Sequence, residues 1–138
     1  MRVILDANVV VSFLLTHSPT ISAVIRAWRN NEFLLLVSDE ILIEYKQILV
    51  RIAKNGLVQS VHSNSLFEEI LKEGLTVQVN STTDVSKDRK DNRYLSCAKD
   101  GKAEYLVTGD KKHLLKLKVF EKTRIVTPKE FVEVLEKK

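Results

Sequence analysis

Four acidic residues in this sequence have the type and placement expected of metal ligands in a hydrolytic site. Asp6 directly follows the apolar run 3–5, and Asp110 comes just after the apolar run 105–108. Glu44 lies about two turns beyond a third apolar run, and Asp91 follows a polar segment. Carboxylate oxygens without a Cys or His partner suit Mg²⁺ or Mn²⁺ better than zinc. Such an ion activates a bound water and neutralises phosphoryl charge, so the chemistry indicated is phosphodiester hydrolysis.

Polar side chains that could support this chemistry accompany three of the acids. Asn8 and Asn92 each follow an acid within two residues, and each amide could orient a water, a ligand or a phosphate. Thr108 supplies a hydroxyl beside Asp110. These residues are candidate supporting groups.

A basic cluster surrounds Asp91 in the sequence and could bind the phosphates of a nucleic-acid backbone. It consists of Lys87, Arg89, Lys90 and Arg93. The net charge of the chain is +4, but residues 85–138 hold 15 Lys and Arg against 9 Asp and Glu. The excess of positive charge in this part indicates a phosphate-bearing partner.

Alternating strands and helices must position these residues. Apolar runs predict strands at 3–5, 33–37, 75–79, 105–108 and 125–126. Helical spacing and end signals predict helices at 21–29, from Ser38 to 55, and at 64–73, 91–100, 111–117 and from 127 onward. The run 9–15 is apolar throughout, so its periodicity does not decide its state, and 80–90 is a polar loop.

Several residues predict where these helices begin and end. Ser38 and Asp91 are expected N-caps, and Gly74 is an expected left-handed C-cap. In the helix before Gly74 we expect Leu71 to face inward. Thr127 is predicted to form a capping box with Glu130 at the start of the last helix.

This alternation predicts one domain, residues 1–138, with a three-layer α/β/α sandwich around a mostly parallel sheet. Ligands of such sheets bind outside the carboxyl ends of the strands. Asp6, Asp91 and Asp110 follow strands or begin helices there. Glu44 falls roughly 80° from the centre of its helix's apolar stripe, so it can face the same edge.

Four carboxylates gathered at one edge would repel one another. At about 5 Å and an effective dielectric near 20, each ionised pair costs roughly 3 kcal/mol. Either their pKa values rise or a cation lies among them.

The sequence resembles the PIN domain family over essentially its whole length. The similarity rests on residues 3–8 (VILDAN), 38–44 (SDEILIE), 91–95 (DNRYL) and 105–110 (YLVTGD). The segment 127–131 (TPKEF) resembles one branch of the family, the VapC-like PIN-type toxins of toxin–antitoxin systems. The resemblance implies a ribonuclease dependent on Mg²⁺ or Mn²⁺.

The resemblance also implies roles for particular residues and partners. The metal-binding acids of the family match Asp6, Glu44, Asp91 and Asp110, with Asn8 and Thr108 as supporting groups. Asp88 is a possible substitute for the third acid, because that acid often lies in an Asp-rich run. RNA as substrate, a small antitoxin protein and a homodimer are implied as partners.

Composition excludes several other classes. The single cysteine, Cys97, excludes an internal disulfide framework and a multi-cysteine zinc site. No apolar stretch approaches the roughly 18 residues of a membrane span, and the N-terminus does not resemble a signal peptide. We therefore expect a cytoplasmic protein without a membrane partner.

Two other interpretations stay open. One is another metal-dependent phosphoryl hydrolase, such as a phosphatase that forms an aspartyl-phosphate. That mechanism commonly needs a second Asp at position 8, where this chain has Asn. The other is a non-catalytic module that binds nucleic acid or protein with a degenerate site.

Overall fold

The computed structural model describes residues 1–86, 88–110 and 112–138. Within these residues the chain forms six strands. They are β1 (Arg2–Leu5), β2 (Leu34–Val37), β3 (Leu75–Thr76), β4 (Tyr105–Val107), β5 (Val119–Phe120) and β6 (Thr123–Val126). The same residues form seven helices: α1 (Ala7–Leu15), α2 (Pro19–Arg29), α3 (Asp39–Lys54), α4 (Ser60–Glu73), α5 (Arg89–Gly101), α6 (Leu114–Leu117) and α7 (Pro128–Glu136).

The strands form one sheet in the order β3-β2-β1-β4-β6-β5. All neighbouring strands are parallel except β5 and β6, which are antiparallel. The predicted mostly parallel α/β/α architecture is therefore confirmed. Because β1, β2 and β4 run in the same direction, the residues after each strand meet at one edge, here named the carboxyl edge.

The central strands are apolar because both faces of the sheet are covered. Val3–Leu5 of β1, Leu35–Val37 of β2 and Leu106–Val107 of β4 are all buried. Helix α5 packs on β1, β2 and β4, while α2 contacts α7 and α3 contacts α1 and α4. The core thus holds rigid the strand ends from which the polar residues project.

The undecided run 9–15 lies in helix α1. Asp6 is the N-cap of this helix, and Val9, Val10 and Val11 are buried. The helix lies against α2 and α3, so apolar side chains are needed around much of its circumference. This explains why the run lacks a clear helical period.

The helix ends predicted at Ser38 and Thr127 are confirmed. The Ser38 hydroxyl accepts from the Ile41 N–H at 3.3 Å. Thr127 and Glu130 form the reciprocal capping box, with Pro128 at the first helical position.

The prediction for the end of α4 was wrong. Gly74 has φ −70°, not a left-handed value, because the chain passes directly from α4 into β3. A Cβ at this position would lie 2.7 Å from the Ile70 carbonyl oxygen, so glycine is required by close packing. Leu71 is 52% exposed rather than inward, and Leu66 is buried instead.

The start of α5 also differs from the prediction. Asp88, not Asp91, is the N-cap, and its side chain accepts from the Lys90 N–H at 3.0 Å. Asp91 lies in the first turn of the helix and is buried. The helix therefore begins two residues before the predicted start, because Asp88 offers the capping carboxylate.

Three short elements have bounds other than those predicted. Strand β3 covers only the first two of residues 75–79, and α6 covers only the last four of residues 111–117, where Lys111 lies outside the described residues. The last parallel strand is longer than 125–126 and is preceded by the antiparallel β5, which was not predicted. Two-residue strands have too few residues to show a period.

No single helix among the described residues is long and apolar enough to cross a membrane, and α1 with α2 meets that test only as a pair bent by 111°.

Candidate active site

Asp6 lies at the centre of the carboxyl edge, where β1 passes into α1. Its Oδ1 accepts from the Asn8 N–H at 3.2 Å, and its Oδ2 accepts from the Thr108 hydroxyl at 2.6 Å. Burial raises the pKa of Asp6, the two hydrogen bonds oppose this, and the charges of Glu44 and Asp110 raise it further. Asp6 is therefore a buried acid with other acids close by.

Thr108 links the ends of β1 and β4. Its side chain is fully buried, its hydroxyl donates to Asp6, and the same oxygen accepts from the Asp110 N–H at 3.0 Å. This hydroxyl fixes one acid directly and the backbone of the other. The threonine predicted beside Asp110 thus contacts two of the four candidate acids.

Asp110 caps the turn that precedes α6. Its Oδ1 accepts from the Lys112 N–H at 3.0 Å and the His113 N–H at 3.3 Å. These bonds hold the carboxylate beside Asp6 and Asp91, whose pKa values its charge affects.

Asp91 has a strongly raised pKa. Burial, the charges of Asp110 and Asp88, a hydrogen bond with Asp110 and the charge of Asp6 together raise it to about 7, with burial the largest cause. The protein thus concentrates negative charge around this carboxyl. Asp88, the proposed substitute, is close enough to contribute to this effect.

Ser86 is a residue of this site that the sequence did not indicate. Its hydroxyl donates to Asp91 Oδ2 at 3.3 Å and accepts from the Asp88 N–H at 3.3 Å. A serine two residues before an N-cap aspartate was the available signal, since hydroxyls commonly accept from nearby backbone N–H groups.

The two ends of the Asn92 amide bind the backbone of Ser86. Oδ1 accepts from the Ser86 N–H at 2.9 Å, and Nδ2 donates to the Ser86 carbonyl at 3.1 Å. Asn92 therefore holds the segment before α5 in place. Asn8 contributes its N–H to Asp6, while its side chain is exposed.

Glu44 faces the carboxyl edge from α3, as the position of its helix face predicted. Its Oε1 accepts from the Tyr94 hydroxyl, and its Oε2 lies 3.8 Å from Arg93 Nη1. Its side chain is only 12% exposed. The carboxylate is therefore held by two neighbouring residues of α5.

Tyr94 is a second residue of this site that the sequence did not indicate. Its ring is buried, but its hydroxyl reaches Glu44 and also accepts from the Ala7 N–H at 3.1 Å. The available signal was its position three residues after Asp91, which places the two side chains on neighbouring parts of one helix face.

The described residues of the predicted basic cluster have different surroundings. Arg93 pairs with Glu44, Arg89 and Lys90 are exposed, and Lys87 lies outside the described residues. A cleft of about 620 Å³ extends from this region between α5, the start of α3 and segment 77–84. Its polar lining includes Ser38, Asp39, Glu40, Ser81, Thr82, Thr83, Asp84, Arg89, Asn92, Arg93 and Ser96.

The donor set fits a hard divalent cation. Asp6, Glu44, Asp91 and Asp110 offer only oxygen ligands, and burial with like charge raises the pKa of Asp6 and Asp91. A bound cation would relieve this repulsion. In the parts of the chain that the structure describes, no three acidic, His or Cys side chains already stand at the spacing of a metal site.

Comparisons with known proteins match this chain to a family of domains. A family model described as PIN domain matches residues 2–112. No curated protein matches the chain at a significant level.

Solved structures share the fold. A chain in the crystal structure of VapBC2 from Rickettsia felis, bound to a DNA fragment from their promoter, has a TM-score of 0.63 at 14% identity. That match covers 92% of this chain and 98% of the other. PAE2754 from Pyrobaculum aerophilum has a TM-score of 0.63 at 15% identity, covering 100% of this chain and 91% of the other.

Proposed function

This chain belongs to the PIN domain family, and from that premise we propose that it is a divalent-metal-dependent ribonuclease that hydrolyses RNA phosphodiester bonds. The observation that carries the proposal is the convergence of Asp6, Glu44, Asp91 and Asp110 at the carboxyl edge. PIN domains are generally nucleases, and nucleases of this family generally use divalent metals.

These four acids would hold Mg²⁺ or Mn²⁺. When bound, the metal supplies charge neutralisation at the phosphoryl group and a lowered pKa for an attacking water. Thr108 keeps the Asp6 carboxylate turned toward the site, and Asp88 is positioned as an additional acid beside Asp91.

Attack by water also requires a base that accepts its proton. We propose that one of the four acids takes this role.

The RNA backbone would lie along the cleft beside the acids. Arg89 and Arg93 line it from α5, and Lys90 is exposed nearby. Phosphate contacts of this kind bind the strand without reading its sequence. We include Lys87 in this proposal because it lies two residues before Arg89 in the sequence.

We further propose that the protein is a VapC-like toxin of a toxin–antitoxin system, cytoplasmic, that forms a homodimer and binds a small antitoxin. The fold shared with a chain of VapBC2 supports this. So do exposed apolar residues on two adjacent helices, Ile43 and Val50 of α3 and Val61 of α4. Large apolar side chains in solvent mark surfaces that partners cover.

A non-catalytic binding module is the second candidate. The ion pair between Glu44 and Arg93 favours it, because one of the four acids is then partly neutralised by the protein itself. Such a module would bind nucleic acid without needing a metal.

Cleavage of a labelled single-stranded RNA, beside a DNA of the same sequence, tests the proposal. The wild type with Mn²⁺ or Mg²⁺ is expected to cleave the RNA, and EDTA and Asp6→Asn are each expected to stop it. Glu104→Gln is the control variant, because Glu104 lies at the opposite end of the sheet with its side chain 58% exposed.

Two other outcomes of the cleavage assay would count against the proposal. Cleavage that survives both EDTA and Asp6→Asn would come from a contaminating nuclease and would leave this protein without demonstrated activity. No cleavage, together with no change of melting temperature in Mn²⁺, would favour the binding module.

A further inference from the structure

The hydroxyl group of Tyr94 joins three elements at one point. It donates to Glu44 Oε1 on α3 and accepts from the Ala7 N–H at 3.1 Å, where α1 begins. Tyr94 itself lies on α5. The oxygen therefore connects a candidate metal ligand to the backbone directly after Asp6.

The direction of this hydrogen bond follows from the chemistry of the two partners. The Ala7 N–H can only donate, so the Tyr94 oxygen accepts from it and the hydroxyl hydrogen is directed to the Glu44 carboxylate. Tyr94 is only 2% exposed, and both hydrogen-bonding roles of its hydroxyl are used.

Glu44 needs such a partner more than the aspartates do. Its side chain has one more rotatable bond than that of Asp, so more conformations must be restricted to hold the carboxylate in one position. Carboxylates that bind metals are generally themselves hydrogen-bonded by a second layer of residues, which fixes their orientation.

We propose that Tyr94 is a positioning residue that fixes the Glu44 carboxylate for divalent-metal binding and ties it to the Asp6–Ala7 junction. This inference rests on the proposed metal-dependent function. It assigns to Tyr94 no contact with substrate or metal, since its action passes through Glu44.

Tyr45 provides a matched comparison within the same fold. It is also fully buried, and its hydroxyl also makes one donor bond, but the acceptor is the backbone carbonyl of Leu5. Removing the Tyr45 hydroxyl therefore removes a buried hydrogen bond without taking a partner from a carboxylate.

Direct Mn²⁺ binding by the purified protein tests the proposal without depending on activity. The electron paramagnetic resonance signal of free Mn²⁺ is followed as Mn²⁺ is added to wild type, Tyr94→Phe and Tyr45→Phe. Tyr94→Phe is expected to weaken binding by about tenfold or more, the lower end of the range for residues that orient metal ligands. Tyr45→Phe is expected to stay within about threefold.

A double-mutant cycle shows whether Tyr94 acts through Glu44. In the Glu44→Gln background, adding Tyr94→Phe is expected to change Mn²⁺ affinity by less than about twofold. Urea unfolding of each variant verifies that it is folded under the conditions of the titration.

Three results would overturn the inference. Equal Mn²⁺ affinity of wild type and Tyr94→Phe would do so, as would an equal loss in Tyr45→Phe, or a full tenfold loss that persists in the Glu44→Gln background. A wild type that binds no Mn²⁺ would instead overturn the proposed function, and the inference with it.

Discussion

The two ends of the central sheet arrange their charges in opposite ways. At the end where β1, β2 and β4 begin, here named the amino edge, charged groups lie beside groups of opposite sign. Arg29 and Glu69 form two hydrogen bonds of 2.8 Å, and the N-terminal amine lies 4.0 Å from Glu104. Arg2 donates to the Gly101 carbonyl at 2.9 Å.

At the carboxyl edge, groups of like charge lie together and are buried. Asp6 and Asp91 are each 7% exposed, and each has its pKa raised by burial and by other acids. Glu44 has a cation nearby, but Asp6 and Asp91 are held by hydroxyl groups from Thr108 and Ser86.

This difference distinguishes a charge arrangement that stabilises the fold from the arrangement found at the candidate site. Surface pairs of opposite charge contribute a little stability, whereas buried like charges reduce it. Local rules of stability are commonly broken at functional sites. The carboxyl edge departs from such a rule, because it buries acids beside one another.

The largest expected effect comes from removing one charge at the carboxyl edge. Asp91→Asn is expected to lower metal-dependent RNA cleavage by about 100-fold or more, the scale of losing one electrostatic group of an active site. In EDTA at pH 8 the same change is expected to raise the free energy of unfolding, because it removes a buried negative charge that lies among other acids. Cleavage assays and urea unfolding measure the two effects.

If Asp91→Asn kept its activity, or lost stability without metal, the contrast between the two edges would be broken. Glu104→Gln, measured in the same way, controls for the loss of a carboxylate at the amino edge.

A smaller effect is expected from pH. Because the folded state raises the pKa of Asp91 from 3.8 to about 7, it binds this proton more tightly than the unfolded state does. The free energy of unfolding of metal-free protein should therefore fall as pH rises toward and through 7, by about 1–2 kcal/mol between pH 5.5 and 8. Asp91→Asn should show a flatter profile.

Groups that do not interact with Asp91 cancel in that difference. Asp100 and Glu130 have lowered pKa values, chiefly through hydrogen bonds from Ser81 and Thr127, so their stabilisation is lost only at more acidic pH. Urea unfolding in EDTA across this range gives the measurement, and parallel profiles would contradict the assignment to Asp91.

The smallest effect is expected at the amino edge. Glu69→Gln breaks the pair with Arg29 and should lower the free energy of unfolding by no more than about 1 kcal/mol, because the pair is partly exposed. RNA cleavage should not change. A loss of activity in this variant would mean that the two edges are coupled.

Much of the fold could be predicted from local sequence. Ser38 and Thr127 mark helix starts that the structure confirms, because capping uses a side chain and a backbone group only three residues apart. The parallel order of the apolar strands then brings Asp6 and Asp110 to the same edge, whatever the details of packing.

The predictions for the helix ends at Gly74 and Asp91 were wrong because contacts with other parts of the fold affect both positions. Gly74 is required by the Ile70 carbonyl and the Val37 side chain, which lies on a neighbouring strand. The first turn of α5 takes Asp88 as its cap, so that Asp91 is buried among the other acids.

The sequence by itself determined the alternation of strands and helices and the four acids that such a topology carries to one edge, because these depend on periodicity and on strand direction. Only the tertiary structure decided which groups hold the acids. Thr108 meets Asp6 across 102 residues, and Tyr94 meets Glu44 across 50. Contacts between such distant residues depend on how the helices pack on the sheet, and no local sequence pattern predicts that packing.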